Sequence, residues 1–138
     1  MYLIDTHIIS EVRKRVRANK GVMQFFREAI KTHADVYISV VTVGELRRGV
    51  ELIRHRGDTR QATHLEKWLE QLLTEYRDAV LDIDQEIAQL WGRLRAPYPE
   101  HALDKLIAAT ALIYDLTVVI RNERDFVTTG VRVLNPYQ

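Results

Sequence analysis

The segment Thr117-Val118-Val119-Ile120 is short and almost wholly apolar, and Tyr2-Leu3-Ile4 has the same character. A strand in which consecutive residues are apolar is buried on both faces, which is typical of a parallel sheet covered by helices. Two further runs of this kind lie between them, at residues 36–39 and 79–81, and another follows at residues 131–134. We therefore predict a mostly parallel sheet of about five strands.

Amphipathic segments separate these strands. Apolar residues recur in them every three or four positions, which indicates helices. One helix should end at Gly57, another should begin after Asp84 as its N-cap, and a third should run from about Ala102 to Tyr114. Strands that alternate with helices favour βαβ units, and so an α/β fold with helices on both faces of the sheet.

Composition limits the class of protein. The chain has 138 residues, of which 46% are hydrophobic and 28% are charged, and it shows no repeat or linker, so we predict a single domain over residues 1–138. The absence of cysteine excludes disulfides, a thiolate metal site and a cysteine nucleophile. No apolar run approaches the roughly 20 residues of a membrane helix, and no signal peptide is evident. We expect a cytoplasmic protein without a membrane partner.

Basic residues are unevenly distributed, although the net charge is only +1. They form three clusters, which are Arg13, Lys14, Arg15, Arg17 and Lys20, then Arg47 and Arg48, then Arg54, His55 and Arg56. Such clusters can contact nucleic-acid phosphates. Runs of charge are also common on solvated helix faces, so the sequence leaves both interpretations open.

Four acidic residues from distant segments fall at the carboxyl edge of the predicted sheet. Asp5 follows the first strand, and Asn122 and Asp125 come after the fourth. Glu45 lies early in the helix that follows the second strand, and Asp104 lies early in the helix that feeds the fourth. Ligands of open parallel sheets bind beyond the carboxyl ends of the strands. We therefore expect these four carboxylates to meet.

Each acid also has an ordinary structural explanation. Asp5 and Asp125 could cap helices. Asp104 could complement a helix dipole, which is worth roughly a few tenths of a kcal/mol. Glu45 could pair with Arg48 on the helix surface. These explanations do not account for four acids at strand ends together.

Clustered carboxylates need a counter-charge. Two unit charges 4 Å apart repel by roughly 4 kcal/mol at an effective dielectric of 20, so such a cluster persists only with bound protons or cations. Divalent cations such as Mg²⁺ prefer carboxylate and water oxygens. Sites of this kind are typical of phosphate-ester chemistry.

The sequence around these acids resembles that of PIN-domain ribonucleases. Four blocks occur in the family's order along the whole chain, and they are most similar to VapC and FitB-type toxins of bacterial toxin–antitoxin pairs. The blocks are Leu3-Ile4-Asp5-Thr6 with Ile8-Ile9-Ser10-Glu11, residues 42–49, residues 104–111, and residues 121–126 with Gly130-Val131 and Leu134-Asn135-Pro136.

This resemblance implies a three-layer α/β/α fold and an endoribonuclease that depends on Mg²⁺ or Mn²⁺. It also implies a homodimer that is inhibited by a cognate VapB-type antitoxin, with DNA bound only through that antitoxin. It assigns catalysis and metal binding to Asp5, Glu45, Asp104 and Asp125, with support from Thr6 and Asn122. Leu65, Trp68, Leu69 and Leu72 could supply part of an apolar groove for an inhibitor helix, although Trp68 and Trp91 are more simply explained as core residues.

Two positions depart from the pattern that the resemblance implies. His7 stands where asparagine or serine is usual, and Ile120 stands where a threonine often precedes Arg121-Asn122. Both affect neighbours of the acids, which tune a metal site, and not the acids themselves. His7 could add a nitrogen ligand or could simply be hydrogen-bonded.

Other functions remain open. A catalytically idle PIN-like module would bind RNA or protein with the same fold. A phosphoryl-transfer domain with an aspartyl nucleophile normally has a second acid two residues later, where His7 stands. A phosphorylated receiver domain needs an acid where Ser39 ends the second strand. Neither the phosphoryl-transfer domain nor the receiver domain accounts for the acids at positions Glu45 and Asp104.

Overall fold

The computed structural model describes residues 1–138 and contains a five-stranded sheet. The strands are β1 (Tyr2–Ile4), β2 (Val36–Ser39), β3 (Val80–Leu81), β4 (Thr117–Val119) and β5 (Val133–Leu134). Their order across the sheet is β3-β2-β1-β4-β5, and every neighbouring pair is parallel. The predicted parallel sheet is therefore confirmed, with β1 at its centre.

Six α-helices connect these strands. They are α1 (Thr6–Val12), α2 (Lys20–Lys31), α3 (Val40–His55), α4 (Thr59–Glu75), α5 (Gln85–Arg95) and α6 (Ala102–Tyr114). Two 3-10 helices, Arg15–Arg17 and Glu123–Thr129, complete the chain. The helix predicted over residues 102–114 is confirmed, as is the helical turn near Asp125. None of the helices combines the length and the apolar character that a membrane crossing requires.

The strands β3, β4 and β5 are shorter than the sequence predicts. Most of the residues that lie outside their observed bounds still form backbone hydrogen bonds with a neighbouring segment of the sheet. Ala79 lies before β3, but its carbonyl accepts from the Ile38 amide at 3.0 Å. Ile120 lies after β4, and its amide donates to the Leu134 carbonyl at 3.0 Å. Val131 differs, because its amide donates to the hydroxyl of Thr129 at 3.3 Å, which places it in a turn before β5.

Consecutive residues of the central strands face opposite helical layers. Ile4 and Val119 belong to a core that α1, α2, α3 and α4 complete. Leu3 and Val118 belong to a second core with apolar residues of α6. Because side chains alternate along a strand, these apolar runs require cover on both faces. The three-layer α/β/α architecture follows from this requirement.

Side chains at the carboxyl edge of the sheet begin several helices. Asp5 caps α1 by accepting from the His7 amide at 3.2 Å, and Ser39 caps α3 by accepting from the Val41 amide at 3.0 Å. Asp84 caps α5, as predicted, through the Ile87 amide at 2.9 Å. Each cap satisfies an amide that lacks a partner within the helix. The edge is therefore lined by helix N-termini.

The C-terminal residues hold the start of α2. The Asn19 side chain caps α2 and also accepts from the Gln138 amide at 3.1 Å. Its amide group donates to the Gln138 carbonyl at 2.9 Å. Gly21 is buried beside this contact, and a Cβ at that position would overlap the carbonyl oxygen of Pro136. The close approach therefore requires glycine.

Replacing Gly21 by alanine should destabilise the protein, although alanine is the better helix former by about 1 kcal/mol. The added methyl group would force the Pro136 carbonyl to move. We expect the free energy of unfolding, measured by urea denaturation, to fall by about 1–3 kcal/mol.

Gly92→Ala is the matched control, because Gly92 also lies within a helix and a Cβ there would meet no atom within 4 Å. This variant should be as stable as the wild type, or more stable by up to about 1 kcal/mol. Equal changes for the two substitutions would show that the C-terminal residues do not pack tightly against Gly21.

Candidate active site

The candidate site lies beyond the carboxyl ends of β1 and β4. From β1 the chain proceeds to β2 and β3 on one side, and it later returns to β4 on the other. The boundary between β1 and β4 is therefore a topological switch point, where open parallel sheets bind ligands. Asp5 directly follows β1, and the 3-10 helix that carries Asp125 follows β4.

The structure places three of the predicted acids, Asp5, Glu45 and Asp125, within electrostatic range of the fourth, Asp104. Burial raises the pKa of Asp104 to about 6, from an ordinary value of 3.8. This increase includes the negative charges of Asp5, Asp125 and Glu45, which act in the same direction as burial, whereas the charge of His101 opposes them. Both burial and nearby negative charge disfavour the ionised form of a carboxyl group, and both act on Asp104.

Asp5 has the capping role that was considered from the sequence. It is 9% exposed, and its Oδ2 accepts from the His7 amide at 3.2 Å as the cap of α1. The same Oδ2 lies 3.1 Å from Nδ1 of His7. Both contacts use Oδ2, so Oδ1 has no hydrogen-bonding partner in the protein. The capping role therefore leaves one carboxylate oxygen free for a ligand.

His7 extends from the site into solvent. Its side chain is 83% exposed, and its only side-chain hydrogen bond is to Asp5. This bond raises the pKa of His7, although partial burial opposes the increase. The geometry matches the hydrogen-bonded role considered for this residue. Ile120, the other departure, is 2% exposed within the second core, so it supports the sheet and offers no hydroxyl group to the acids.

Glu45 points towards α1 and not along its own helix. Its Oε1 accepts from the Thr6 hydroxyl at 2.8 Å, and that hydroxyl lies 3.2 Å from Oγ1 of Thr42. No ion pair forms with Arg48, so the surface pair considered from the sequence is absent. Thr6, the predicted supporting residue, thus connects the start of α1 to Glu45.

Asp104 and Asp125 meet around a histidine that the sequence analysis missed. Nδ1 of His101 lies 3.8 Å from Oδ2 of Asp104, and Nε2 lies 3.5 Å from Oδ1 of Asp125. The other oxygen of Asp125 accepts from the side chain of Asn122 at 2.9 Å. One ligand atom from each of His101, Asp104 and Asp125 lies within 4.8 Å of the others. This group could hold a metal ion.

Backbone conformation determines where His101 points. It stands at the N-cap of α6 with φ 54° and ψ 53°, a left-handed conformation that is uncommon outside glycine. The sequence offers a weak signal, because His101 lies three residues before Asp104. However, the chain has five histidines, and neither spacing nor periodicity distinguishes this one.

A buried lysine anchors the segment that carries His101. Lys105 is 1% exposed, and its Nζ donates to the carbonyl of Glu100. On the same segment, the Trp91 indole donates to the Ala102 carbonyl at 2.9 Å. The guanidinium of Arg95 stacks on Trp91 at 4.8 Å. Trp91 thus anchors the segment that leads into α6.

Salt bridges neutralise part of the basic clusters. Arg47 and Arg54 both pair with Glu51 and Glu66. Lys14 pairs with Glu11 at 2.9 Å. For these residues the solvated-face interpretation fits better than a contact with phosphate.

A separate cleft of about 1440 Å³ lies among α1, α2 and α4. Trp68 and Leu72 line it, whereas Leu65 and Leu69 are buried in the first core and do not. The groove considered from the sequence is therefore only half correct. Its other apolar lining residues include Ile9, Val12, Val16, Met23, Phe26 and Ile30.

Known proteins share this sequence and this fold. The PIN domain family model matches residues 2–131. Toxin FitB of Neisseria gonorrhoeae is 34% identical over 142 residues, covering 99% of each chain. VapC ribonuclease Y4jK of Sinorhizobium fredii is 27% identical over 145 residues, covering 100% of this chain and 99% of the relative. A structure of FitAB bound to an IR36 DNA fragment has a TM-score of 0.85 and 32% identity, covering 100% of this chain and 96% of that one. The chain therefore belongs to the PIN domain family, in the group of the FitB and VapC toxins.

Proposed function

We propose that residues 1–138 act as one metal-dependent endoribonuclease domain, the toxin of a bacterial toxin–antitoxin pair. The observation that carries this proposal is the approach of Asp5, Glu45 and Asp125 to Asp104, whose pKa burial and these three acids together raise to about 6. Its similarity to toxin FitB and to VapC ribonuclease Y4jK supports the same function.

The donor set fits a hard divalent cation. Carboxylate oxygens are the preferred ligands of Mg²⁺ and Mn²⁺. The repulsion felt by Asp104 is the kind that such a cation removes. We assign Mg²⁺ or Mn²⁺ to Asp5, Glu45, Asp104 and Asp125.

The supporting residues fix the carboxylates before substrate arrives. The Thr6 hydroxyl donates a hydrogen bond to the Glu45 carboxylate at 2.8 Å, and the Asn122 side-chain amide donates one to the Asp125 carboxylate at 2.9 Å. The cap of α1 fixes Asp5. Such partners reduce the rearrangement needed to reach a reactive geometry.

In the proposed reaction, water attacks phosphorus in line with the departing ribose oxygen. A bound divalent cation supplies positive charge for the phosphate and lowers the pKa of a water molecule. Asp125, fixed by Asn122, orients the attacking water. The ribose 2′-hydroxyl is not required as nucleophile, so the products carry 5′-phosphate and 3′-hydroxyl ends.

Partners follow from the same proposal. We assign a VapB-type antitoxin and a second copy of this chain as partners, with DNA bound only through the antitoxin. The structure of FitAB bound to a DNA fragment supports assembly into a complex that binds DNA. An amphipathic segment of the antitoxin suits the cleft beside Trp68, where apolar residues alternate with Arg13, Arg15 and Arg27. A toxin that cleaves cellular RNA acts in the cytoplasm.

Asp5→Asn should abolish RNA cleavage while the fold is retained. Asparagine is as good an N-cap as aspartate, so the start of α1 is preserved while one proposed metal ligand loses its charge. We expect kcat for a single-stranded RNA in Mg²⁺ to fall by more than about 100-fold. The free energy of unfolding should change by less than about 1 kcal/mol.

Asp84→Asn is the matched control, because Asp84 caps α5 in the same way and is not among the proposed ligands. Its stability should change as little as that of Asp5→Asn, and its cleavage rate should remain that of the wild type. Cleavage by Asp5→Asn at the wild-type rate would refute the assignment of the site.

Without metal, Asp104→Asn should stabilise the protein at neutral pH. The pKa of Asp104 is raised in the folded state, so the folded protein binds this proton more tightly than the unfolded chain does. The penalty for ionising Asp104 develops as pH rises from the ordinary pKa to about 6, and it is complete above that. In EDTA, the melting temperature of the variant should exceed that of the wild type at about pH 7.5 and match it below about pH 4.

Added Mn²⁺ should reverse the order of the two melting temperatures, so that the wild type melts at a higher temperature than Asp104→Asn. The wild type gains stability by binding the metal, whereas the variant lacks one proposed ligand and gains less. Asp78→Asn, an exposed acid before β3, should behave as the wild type throughout. If Mn²⁺ fails to stabilise the wild type and no chelator-sensitive RNA cleavage is observed, the domain is a catalytically idle binding module.

A further inference from the structure

Arg121 lies at the same edge as the acids but pairs with none of them. It directly follows Ile120 and precedes Asn122, the partner of Asp125. Its side chain is exposed and takes part in none of the ion pairs of the protein. The guanidinium carbon instead lies 4.6 Å from the centre of the Tyr137 ring.

Hydrogen bonds fix both members of this stacked pair. The Arg121 carbonyl accepts from the Asn135 side chain at 3.2 Å, and the carbonyl oxygen of that side chain accepts from the Tyr137 amide at 3.0 Å. The Tyr137 hydroxyl donates to Glu11 at 3.4 Å. Glu11 is 8% exposed and also accepts from the Asn19 amide at 2.8 Å. The aromatic ring is therefore held at its backbone and at its hydroxyl.

The Tyr137 ring of this stacked pair is within electrostatic range of Asp5. Burial raises the pKa of Tyr137, and the negative charge of Glu11 raises it further. Arg121 opposes this increase, and Asp5 contributes to it. The ring thus lies where the charges of Arg121 and Asp5 are both felt.

Stacking occupies the face of a guanidinium and leaves its edge available. The five N–H donors of arginine lie in the plane of the group and match the oxygens of a phosphate. At Arg121 no protein acceptor uses them. A carboxylate-rich site repels a polyanionic strand, so an unpaired cation beside it would favour binding of that strand.

We propose that Arg121, positioned by Tyr137, binds a phosphate of the RNA strand next to the one that is cleaved. This inference rests on the proposed nuclease function, and it extends the substrate site to the residues after β5. Arg121 is the phosphate-binding residue, and Tyr137 is a positioning residue that acts through it.

Binding of a labelled single-stranded RNA oligonucleotide, measured by fluorescence anisotropy across a salt series, tests this inference. The measurements use Asp5→Asn protein in Mg²⁺, so that the RNA remains intact. Adding Arg121→Ala should raise Kd about 10-fold and reduce the slope of log K against log salt by about 0.7, the loss of one phosphate contact on a single strand. Arg121→Lys should preserve the slope but weaken binding, because lysine retains the charge and loses the planar donors.

Arg124→Ala is the control for charge alone. Arg124 is exposed, lies three residues further along, and makes neither an ion pair nor a stacking contact. Its removal should change Kd by less than about 2-fold. An effect equal to that of Arg121→Ala would show that net charge, and not the stacked arginine, determines binding.

Two substitutions of Tyr137 separate positioning from stability. Tyr137→Phe and Tyr137→Leu both lose the hydroxyl contact with Glu11, but only phenylalanine keeps a ring beneath Arg121. Binding by the phenylalanine variant should remain within about 2-fold of the parent, whereas the leucine variant should bind about 5-fold more weakly. Equal binding by the two variants would refute the positioning role.

Activity assays on the protein with Asp5 intact distinguish failure of this inference from failure of the proposed function. If that protein neither binds nor cleaves RNA, both are refuted. If it cleaves RNA and Arg121→Ala keeps the same Kd, KM and salt slope, only the role of Arg121 is refuted. If Arg121→Ala binds RNA normally but loses its antitoxin, Arg121 belongs to a protein interface and this inference is wrong.

Discussion

Repulsion among carboxylates at the switch point between β1 and β4 is the constraint on which the site depends. Burial and three neighbouring acids raise the pKa of Asp104 to about 6. The polypeptide tolerates this arrangement because the acids belong to elements that are fixed by other interactions. Asp5 follows a strand with two fully buried residues, and Asp104 lies in a helix whose inner face is buried against the sheet. Stability gained in the core thus offsets the cost of the charge cluster.

The same side chains serve the fold and the proposed chemistry. Asp5 caps α1 through Oδ2 and keeps Oδ1 unpaired. Thr6 is the first residue of that helix and orients Glu45 from α3. A structural explanation for each acid is therefore no argument against a functional one. In a parallel sheet, helix N-termini and ligand sites share the carboxyl edge, and one carboxylate can satisfy both.

The fold was predictable because its decisive signals are local. Apolar runs such as Leu3-Ile4 and Val118-Val119 predict, without further information, that both faces of the sheet are covered. The candidate acids were proposed from the same kind of signal, since each lies shortly after a strand or in the opening turns of a helix. The side-chain partners at the site could not be predicted from the sequence, because they depend on tertiary packing. The spacing of Glu45 allowed Arg48 as a partner, but in the structure Glu45 accepts from the Thr6 hydroxyl of α1.

His101 shows most clearly why local rules fail. Its place between Asp104 and Asp125 depends on a left-handed backbone at the start of α6 and on Lys105, which is buried behind it. Neither the left-handed backbone nor the burial of Lys105 can be predicted from the periodicity of the sequence. The cleft beside Trp68 was half predicted for a related reason, because helical periodicity identifies an apolar face but does not say which neighbours cover it. Leu65 and Leu69 are covered by the core, whereas Trp68 is left at the cleft.

A site for a polyanion needs both signs of charge, and the fold supplies them from different parts of the chain. The acids come from strand ends and helix starts, which the sheet fixes firmly. An arginine at the same edge would be expected to form ion pairs with those acids and neutralise their charge. Tyr137 prevents this by offering Arg121 an aromatic face at 4.6 Å. The residues after β5 thereby keep a cation beside the acids without neutralising them, which is the separation of charge that binding both a metal ion and a phosphate requires.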